Sequence, residues 1–167
     1  KVKKIDLVSY SAGPGLSPSL RVGLQAAKEI AEELNADLIG VNHCVAHLTS
    51  GHLFTDFKDG VYLYLSGANS QVIVAEGGRF RILGETLDIG LGNALDKFGR
   101  EIGLGFPAGP KIEESAKSGK YIELPYSVKG MDIVLSGLIT KCSELLKKGS
   151  NMNDLCFSLQ ETAFAMV

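Results

Sequence analysis

Short apolar runs and amphipathic stretches alternate along the first part of the chain. Residues 20–35 place leucine and alanine at helical spacing, which predicts one amphipathic helix. Ser17 is its predicted N-cap, with Pro18 at the first helical position. A second helix is predicted from His43 to about Leu53. The apolar runs that predict buried strands are KIDLVSY (4–10) and DLIGV (37–41). This alternation is typical of an α/β fold.

Three strands and then mainly helices are predicted for the remainder of the chain. The predicted strands are GVYLYLS (60–66), QVIVAEGG (71–78) and RFRILGE (79–85), and the turns between them are SGANS and Gly77-Gly78. The predicted helices lie around 88–101, from Lys111 onward, near 136–148 and at 152–167. The chain opens directly on a strand and stops within a helical pattern, so we expect a piece of a longer protein.

Composition excludes several classes of protein. The chain has 167 residues, of which 45% are hydrophobic and 22% charged, as in ordinary globular proteins. No apolar run reaches the roughly 18–20 residues that span a bilayer, and the N-terminus has no signal-peptide pattern. The net charge of −2 excludes a strongly basic chain but leaves RNA binding through local patches open. The three cysteines form no CxxC pair, which favours reduced thiols in the cytoplasm.

All three histidines of the chain lie within VNHCVAHLTSGH (41–52). His43 and His47 are four residues apart and therefore share one face of the predicted helix, whereas His52 points elsewhere. Paired imidazoles can bind iron or zinc, but the spacing is equally compatible with capping or surface histidines. A zinc protease of the HExxH type would need a glutamate as general base where Cys44 stands. The motif therefore argues against peptide hydrolysis.

Two glycine-rich segments expose backbone amides. The turn SGANS (66–70) joins two strands and can either cradle a phosphate or form a plain hairpin. The segment GLGFPAGP (103–110) precedes a helix whose N-terminus favours an anion. Asp96 and Glu113 lie on either side of this second segment and could hold ribose hydroxyls, although isolated carboxylates are more often solvated surface charges. The residues alone leave nucleotide binding as one of two interpretations.

Six motifs in this order resemble one family over essentially the whole chain. They are SAGPGLSPSLRVG, VNHCVAH, YLYLSGANSQVI, GETLDIGLGNALDKFGREIGLG, FPAGPKIE and MDIVLSGLIT. The family is that of the tRNA N6-adenosine threonylcarbamoyltransferases, called TsaD in bacteria and the Kae subunit of the KEOPS complex in archaea and eukaryotes. Its members were formerly called O-sialoglycoprotein endopeptidases. The motifs VNHCVAH and FPAGPKIE are similar to those of the archaeal and eukaryotic branch.

The resemblance implies a fold of the actin, hexokinase and heat-shock ATPase superfamily, with two ribonuclease-H-like lobes. Residues 1–85 would belong to the N-terminal lobe, which carries the histidine helix. Residues 86–167 would begin the second lobe, with its nucleotide-binding loop and helices. The implied activity is an acyl transfer: a threonylcarbamoyl group moves from threonylcarbamoyl-adenylate to N6 of the adenosine beside the anticodon, in tRNAs that read codons beginning with A. We expect the present chain alone to be inactive.

The resemblance also assigns residues to ligands. His43, His47 and Tyr64 would bind one divalent metal ion, iron or zinc. The residues that would contact the adenylate or ATP are Tyr64, Leu65, Ser66, Gly67, Ala68, Asp96, Gly109 and Glu113. The implied chemistry is Lewis-acid polarisation and positioning, with no protein nucleophile. The family loop usually reads Ser-Gly-Gly-Asn-Thr, so Ala68 departs from it. The remaining metal and nucleotide ligands of the family would lie beyond Val167.

The resemblance implies tRNA and the other KEOPS subunits as partners. These subunits are a small protein kinase and a small dimerising subunit, which would contact N-terminal-lobe helices such as 20–35. No membrane partner is implied. Two other interpretations stay open: the metalloprotease of the older family name, and a non-catalytic scaffold that binds nucleotide and docks a partner.

Overall fold

The computed structural model describes residues 4–57 and 60–167, and the chain divides into two compact units. The first unit is Lys1–Lys58 and the second is Asp59–Val167. Each unit has its own strands and helices. The predicted lobe boundary between residues 85 and 86 concerns the full two-lobed fold and stays a prediction.

A strand–helix–strand arrangement makes up most of the first unit. Its elements are β1 (Leu7–Gly13), α1 (Ser17–Leu34), β2 (Asp37–Asn42), α2 (His43–Ser50) and a 3₁₀ helix (Gly51–Leu53). β1 and β2 pair in parallel, beginning with Leu7 opposite Asp37. α1 packs beside them and buries two small side chains, Ala27 and Ala31. The order of elements predicted for this region is confirmed.

The start of α1 differs from the sequence prediction. Its N-cap is Leu16, which has extended backbone and makes no side-chain capping hydrogen bond. Ser17 is therefore already helical and is not the cap, and Pro18 follows it within the first turn. Proline is still accommodated there because the first helical amides have no partner inside the helix.

Both strands of the first unit end later in the chain than predicted, and their side chains are more exposed. β1 continues to Gly13, because its partner strand runs on to Asn42 and the two residues still pair. Leu7 and Ile39, expected to be buried, are 54% and 48% exposed. A sheet of two strands with one helix beside it has too few side chains to cover both of its faces.

An antiparallel sheet and four helices form the second unit. Its elements are β3 (Gly60–Leu65), β4 (Ser70–Glu76), β5 (Arg79–Glu85), α3 (Leu91–Glu101), α4 (Gly109–Ala116), β6 (Val128–Lys129), β7 (Asp132–Ile133), α5 (Ser136–Lys147) and α6 (Met152–Met166). The sheet order is β3-β4-β5. Gly77 and Gly78 both have positive φ, as a two-residue hairpin turn requires. The three predicted strands and four predicted helices are confirmed, whereas the short β6–β7 hairpin was not predicted.

The hydrophobic core of the second unit lies between its helices. Its fully buried side chains, each at most 1% exposed, include Phe98, Leu135, Leu138, Ile139, Leu155 and Leu159. Cys142 of α5 and Cys156 of α6 are buried in the same cluster. Burial raises the pKa of the Cys142 thiol to about 12, so this side chain is a protonated packing group.

No helix within the described residues combines the length and the apolar character that crossing a membrane requires.

Asp88 ties the start of α5 to the segment before α3. Its carboxylate accepts backbone hydrogen bonds from Ile89 at 2.8 Å, Leu135 at 3.0 Å and Ser136 at 2.7 Å. Leu135 and Ser136 are the N-cap and first residue of α5, whose own side chains provide no cap. Asp88 therefore caps a helix whose N-cap lies 47 residues further along the chain. Asp88 itself lies before α3, which begins at Leu91 although the helix was predicted around 88–101.

We expect Gly99→Ala to destabilise the second unit. A Cβ at Gly99 would overlap the Cβ of Ala108, which is fully buried, so the substitution should lower the free energy of unfolding by about 1–3 kcal/mol. Gly137→Ala is the matched control, since Gly137 is also helical but has nothing within 4 Å of an added Cβ. Chemical denaturation of both variants tests this, and equal stabilities would contradict it.

Asp88→Asn should destabilise the protein in a pH-dependent way. Burial acts to raise the pKa of Asp88, but hydrogen bonds from Ser136, Leu135 and Ile89 outweigh it and hold the pKa below its ordinary value of 3.8. The carboxylate therefore stabilises the fold above that value and loses its effect as the pH falls through the folded-state pKa. The substitution should cost about 1 kcal/mol at neutral pH. In denaturation series from about pH 7 to about pH 3, a pH-independent difference would refute this role.

Candidate metal-binding and nucleotide-binding residues

The helix that carries the histidine pair starts at the pair itself. Asn42 is the N-cap of α2, and its side-chain oxygen accepts a hydrogen bond from the Val45 amide at 3.1 Å. Asparagine is among the best N-caps, because it satisfies an amide that has no partner within the helix. His43 is therefore the first helical residue, and His47 lies one turn later on the same face.

The two imidazole rings converge at their outer nitrogens. The Nε2 atoms of His43 and His47 are 3.2 Å apart, and the rings lie edge to face with centroids separated by 4.6 Å. A tetrahedral ion with metal–nitrogen bonds near 2.05 Å separates two adjacent ligand nitrogens by about 3.3 Å. The observed separation fits two ligands of one ion, and it is also within hydrogen-bond distance. Both side chains are exposed.

The residues that the structure describes supply no third classical ligand beside the pair. Among residues 4–57 and 60–167, no group of three or more His, Cys, Asp or Glu side chains could together hold a metal ion. His52 lies in the 3₁₀ helix Gly51–Leu53, beyond the end of α2. Cys44 is half-buried and follows His43 directly, so it does not share the face of the pair.

Tyr64 and Leu65 end the edge strand β3 in the second unit. The Tyr64 side chain is buried at 7% exposure, whereas Leu65 is 44% exposed, as expected for neighbours that point to opposite faces of a sheet. The predicted phosphate loop follows them directly. Tyr64 as a metal ligand stays a prediction.

The loop 66–69 is closed by its own first and last residues. The Ser66 amide donates to the Asn69 carbonyl at 2.8 Å, and the Ser66 hydroxyl accepts from the Asn69 amide at 3.0 Å. Gly67 and Ala68 at the tip are exposed, and within the described part of the chain their amides donate no hydrogen bond. Within the described residues, the loop therefore keeps two adjacent backbone donors without a protein acceptor, as an anion-binding turn needs. Ala68 does not have positive φ, so alanine fits the loop without backbone strain.

Two glycines let this loop lie against the first turn of α3. The amides of Gly92 and Asn93 donate to the carbonyls of Ser66 and Gly67. A Cβ at Gly90 would come within 2.5 Å of the loop backbone, and one at Gly92 within 2.9 Å of it. Sequence reasoning missed this contact, although the GLG spacing (90–92) at the start of a predicted helix could have signalled a close backbone approach.

Asp96 positions the start of α4. Its Oδ1 atom accepts a hydrogen bond from the Ala108 amide at 2.8 Å, and Ala108 is the N-cap of α4. The family resemblance implies that this carboxylate binds a ribose, but one of its two oxygens already accepts the hydrogen bond from Ala108. The role assigned by resemblance stays a prediction.

Gly109 and Glu113 line one groove, of about 450 Å³, between α4 and α6. They are four residues apart on α4 and so lie on the same face of that helix. The lining residues are Leu95, Gly109, Pro110, Ile112, Glu113, Gln160 and Phe164. The volume is in the range of small-molecule sites, and the walls are apolar with a few polar groups. Sequence reasoning missed Gln160 and Phe164, because the helical pattern at 152–167 does not show which other helix lies opposite them.

Substitutions at Asp96 should show whether its hydrogen bond to Ala108, rather than its negative charge, stabilises the fold. Asp96→Ala leaves the buried Ala108 amide without an acceptor and should cost about 1–3 kcal/mol of unfolding free energy. Asp96→Asn retains an oxygen at this position and should cost less than about 1 kcal/mol. Urea denaturation of the two variants measures the difference, and an Asn variant as unstable as the Ala variant would argue against the hydrogen bond as the cause.

Comparisons with known proteins agree with the resemblance. The model of the family "TsaD: tRNA N6-adenosine threonylcarbamoyltransferase" matches residues 1–167. A protein of that name from Thermococcus sibiricus is 54% identical over 166 residues, covering 98% of this chain and 51% of the relative. A "probable bifunctional tRNA threonylcarbamoyladenosine biosynthesis protein" from Methanocorpusculum labreanum is 57% identical over 164 residues, covering 98% of this chain and 31% of the relative.

One solved structure supports the fold. The crystal structure of HypF from T. kodakarensis superposes with a TM-score of 0.67 and 15% identity, covering 97% of this chain and 32% of that one. The predicted α/β class is thereby confirmed as a mixed fold that resembles part of HypF. The chain spans about half the length of the Thermococcus relative and about a third of the Methanocorpusculum one. With the family model matching from end to end, the chain belongs to the tRNA N6-adenosine threonylcarbamoyltransferase family.

Proposed function

We propose that the protein transfers a threonylcarbamoyl group from threonylcarbamoyl-adenylate to N6 of the adenosine beside the anticodon, in tRNAs that read codons beginning with A. The observation that carries this proposal is the match of the family model over all 167 residues. In this proposal the chain supplies part of a fold with two ribonuclease-H-like lobes, and its likeness to part of HypF is compatible with that.

His43 and His47 are proposed as two ligands of a divalent iron or zinc ion. The 3.2 Å separation of their Nε2 atoms supports this, because it matches the spacing of two nitrogens on one ion. When bound, such an ion would supply Lewis-acid polarisation of a substrate oxygen. Tyr64 is retained as a further proposed ligand on the family resemblance alone.

The nucleotide is proposed to bind residues of the second unit. The amides of Gly67 and Ala68 would donate to phosphate oxygens. Leu65 and Ser66 precede these two residues in the proposed site, and Asn69 follows them. Glu113, on the groove wall beside Gly109, would accept hydrogen bonds from ribose hydroxyls, together with the free oxygen of Asp96. These groups orient the adenylate so that its carbonyl carbon faces the attacking amine, and such positioning needs no protein nucleophile.

The partners belong to the same proposal. tRNA is the acceptor substrate, and a KEOPS-type assembly would add a small protein kinase and a small dimerising subunit. α1 is proposed as the helix that the dimerising subunit contacts, in a cytoplasmic complex. Peptide hydrolysis has no supporting observation in the described residues, because Cys44 stands where the general base of a zinc protease would be.

The double substitution His43→Ala with His47→Ala in the intact protein should remove the metal and the activity. Losing both imidazoles should lower metal affinity by more than about tenfold, since even changing a group that merely supports a ligand can cost that much. Metal content by elemental analysis and tRNA modification by nucleoside mass spectrometry, with partner subunits present, are the readouts. His52→Ala is the matched control and should retain both, because His52 lies outside the pair.

Three outcomes would count against parts of this proposal. Unchanged metal content and activity in the double variant would refute the metal site. Nucleotide binding without tRNA modification by the wild-type complex would support the scaffold interpretation instead. Cleavage of a protein substrate that the double variant loses would support the protease.

A further inference from the structure

A cleft of about 350 Å³ lies between α6 and the segment 119–127, which has no regular secondary structure. Three aromatic side chains and one carboxylate line it, and none of its lining residues is basic. The aromatic residues are Tyr121, Tyr126 and Phe157, and the carboxylate is that of Glu161. No residue is shared with the groove that contains Glu113, so the proposed function leaves this cleft without a role.

Three hydrogen bonds hold the segment 119–127 against α6. The backbone amides of Lys120 and Ile122 donate to side-chain oxygens of that helix, at 2.6 and 2.7 Å. The Tyr126 hydroxyl donates to the Ala165 carbonyl at 3.1 Å, which fixes the direction of its ring. The two walls of the cleft are therefore positioned before any ligand arrives, and such preorganisation lowers the entropic cost of binding.

The cleft presents aromatic surface and negative charge to the solvent. Tyr121 and Tyr126 are 58% and 61% exposed, and Glu161 is exposed in the same lining. Thr162 also lines the cleft and is 4% exposed. Its hydroxyl is the only buried side-chain polar atom of the described residues that has no hydrogen-bond partner among them. Aromatic faces and a carboxylate attract a cation, whereas they would repel a phosphate group.

We propose that this cleft receives an arginine side chain of a partner protein. A guanidinium group is planar, so it can stack on a tyrosine ring while its N–H groups donate to the Glu161 carboxylate. Charge complementarity selects this occupant, because the lining supplies one negative charge and three aromatic rings, and arginine carries its positive charge on a flat group. A lysine ammonium is a compact and strongly hydrated charge, which matches such a lining less well. The inference is independent of the nucleotide and metal sites.

Titration of the intact protein with an end-blocked Gly-Arg-Gly peptide, followed by NMR of labelled tyrosine rings, tests the inference. A citrulline analogue of the peptide keeps the shape without the charge, and a lysine analogue keeps the charge without the planar group. Tyr121→Leu should weaken binding of the arginine peptide about two- to fivefold, whereas Tyr121→Phe should bind it like the wild type. Glu161→Gln should weaken binding by a similar factor. Glu144→Gln is the matched control, since Glu144 is also an exposed helical carboxylate but does not line the cleft.

Preference for the arginine peptide over both analogues, weakened in Tyr121→Leu and Glu161→Gln but not in Glu144→Gln, supports the inference. Equal binding of the citrulline peptide would overturn it, because charge would then play no part. Equal binding of the lysine peptide would show a general cation site, and tighter binding of free arginine than of the peptide would show a small-molecule site; either result overturns it, as does the absence of any shift of the tyrosine signals. Thermal melts establish that the variants fold, and if Tyr121→Leu does not, Glu161→Gln and the two analogue peptides still decide.

Discussion

The junction at Ala108 is the constraint on which the arrangement of the second unit depends. Gly99 of α3 has no Cβ, so Ala108 can lie directly against that helix. Asp96, one turn earlier in α3, accepts a hydrogen bond from the Ala108 amide. The missing side chain at Gly99 and the carboxylate of Asp96 thus fix the position at which α4 starts. Since Gly109 and Glu113 follow immediately, the wall of the groove is set by contacts that lie outside the groove.

The loop after β3 is also held against α3, but here the hydrogen bonds join backbone to backbone. The carbonyls of Ser66 and Gly67 accept from the first amides of α3, and the glycines at 90 and 92 make room for the approach. The loop and α4 are thus both fastened to α3, one at each end of it. Gly90, Gly92 and Gly99 lie at these contacts, where a side chain would separate the parts that the helix joins.

The periodic features were predictable from the sequence, and the long-range contacts were not. Alternation and helical spacing identify every strand and helix of four or more residues, because those patterns follow from local geometry. The same-face placement of His43 and His47 follows from one helical turn. The contact of Asp88 with α5 joins residues 47 apart, and no local pattern carries that information. The place of Gln160 and Phe164 in the groove was not predictable either, because the opposite wall is formed by α4, which is distant in the sequence.

The position of the histidine pair at the very start of α2 would link binding of the proposed ion to a local helix–coil equilibrium. The end turns of a helix fray most readily, because their residues make fewer hydrogen bonds within the helix. Asn42 stabilises the first turn of α2, and the two imidazoles are 3.2 Å apart only while it is formed. An ion that bridges the turn would in return hold it closed. The metal affinity of the proposed ligand pair would therefore depend on an asparagine that is not itself a ligand, and it would vary with any condition that frays the helix end.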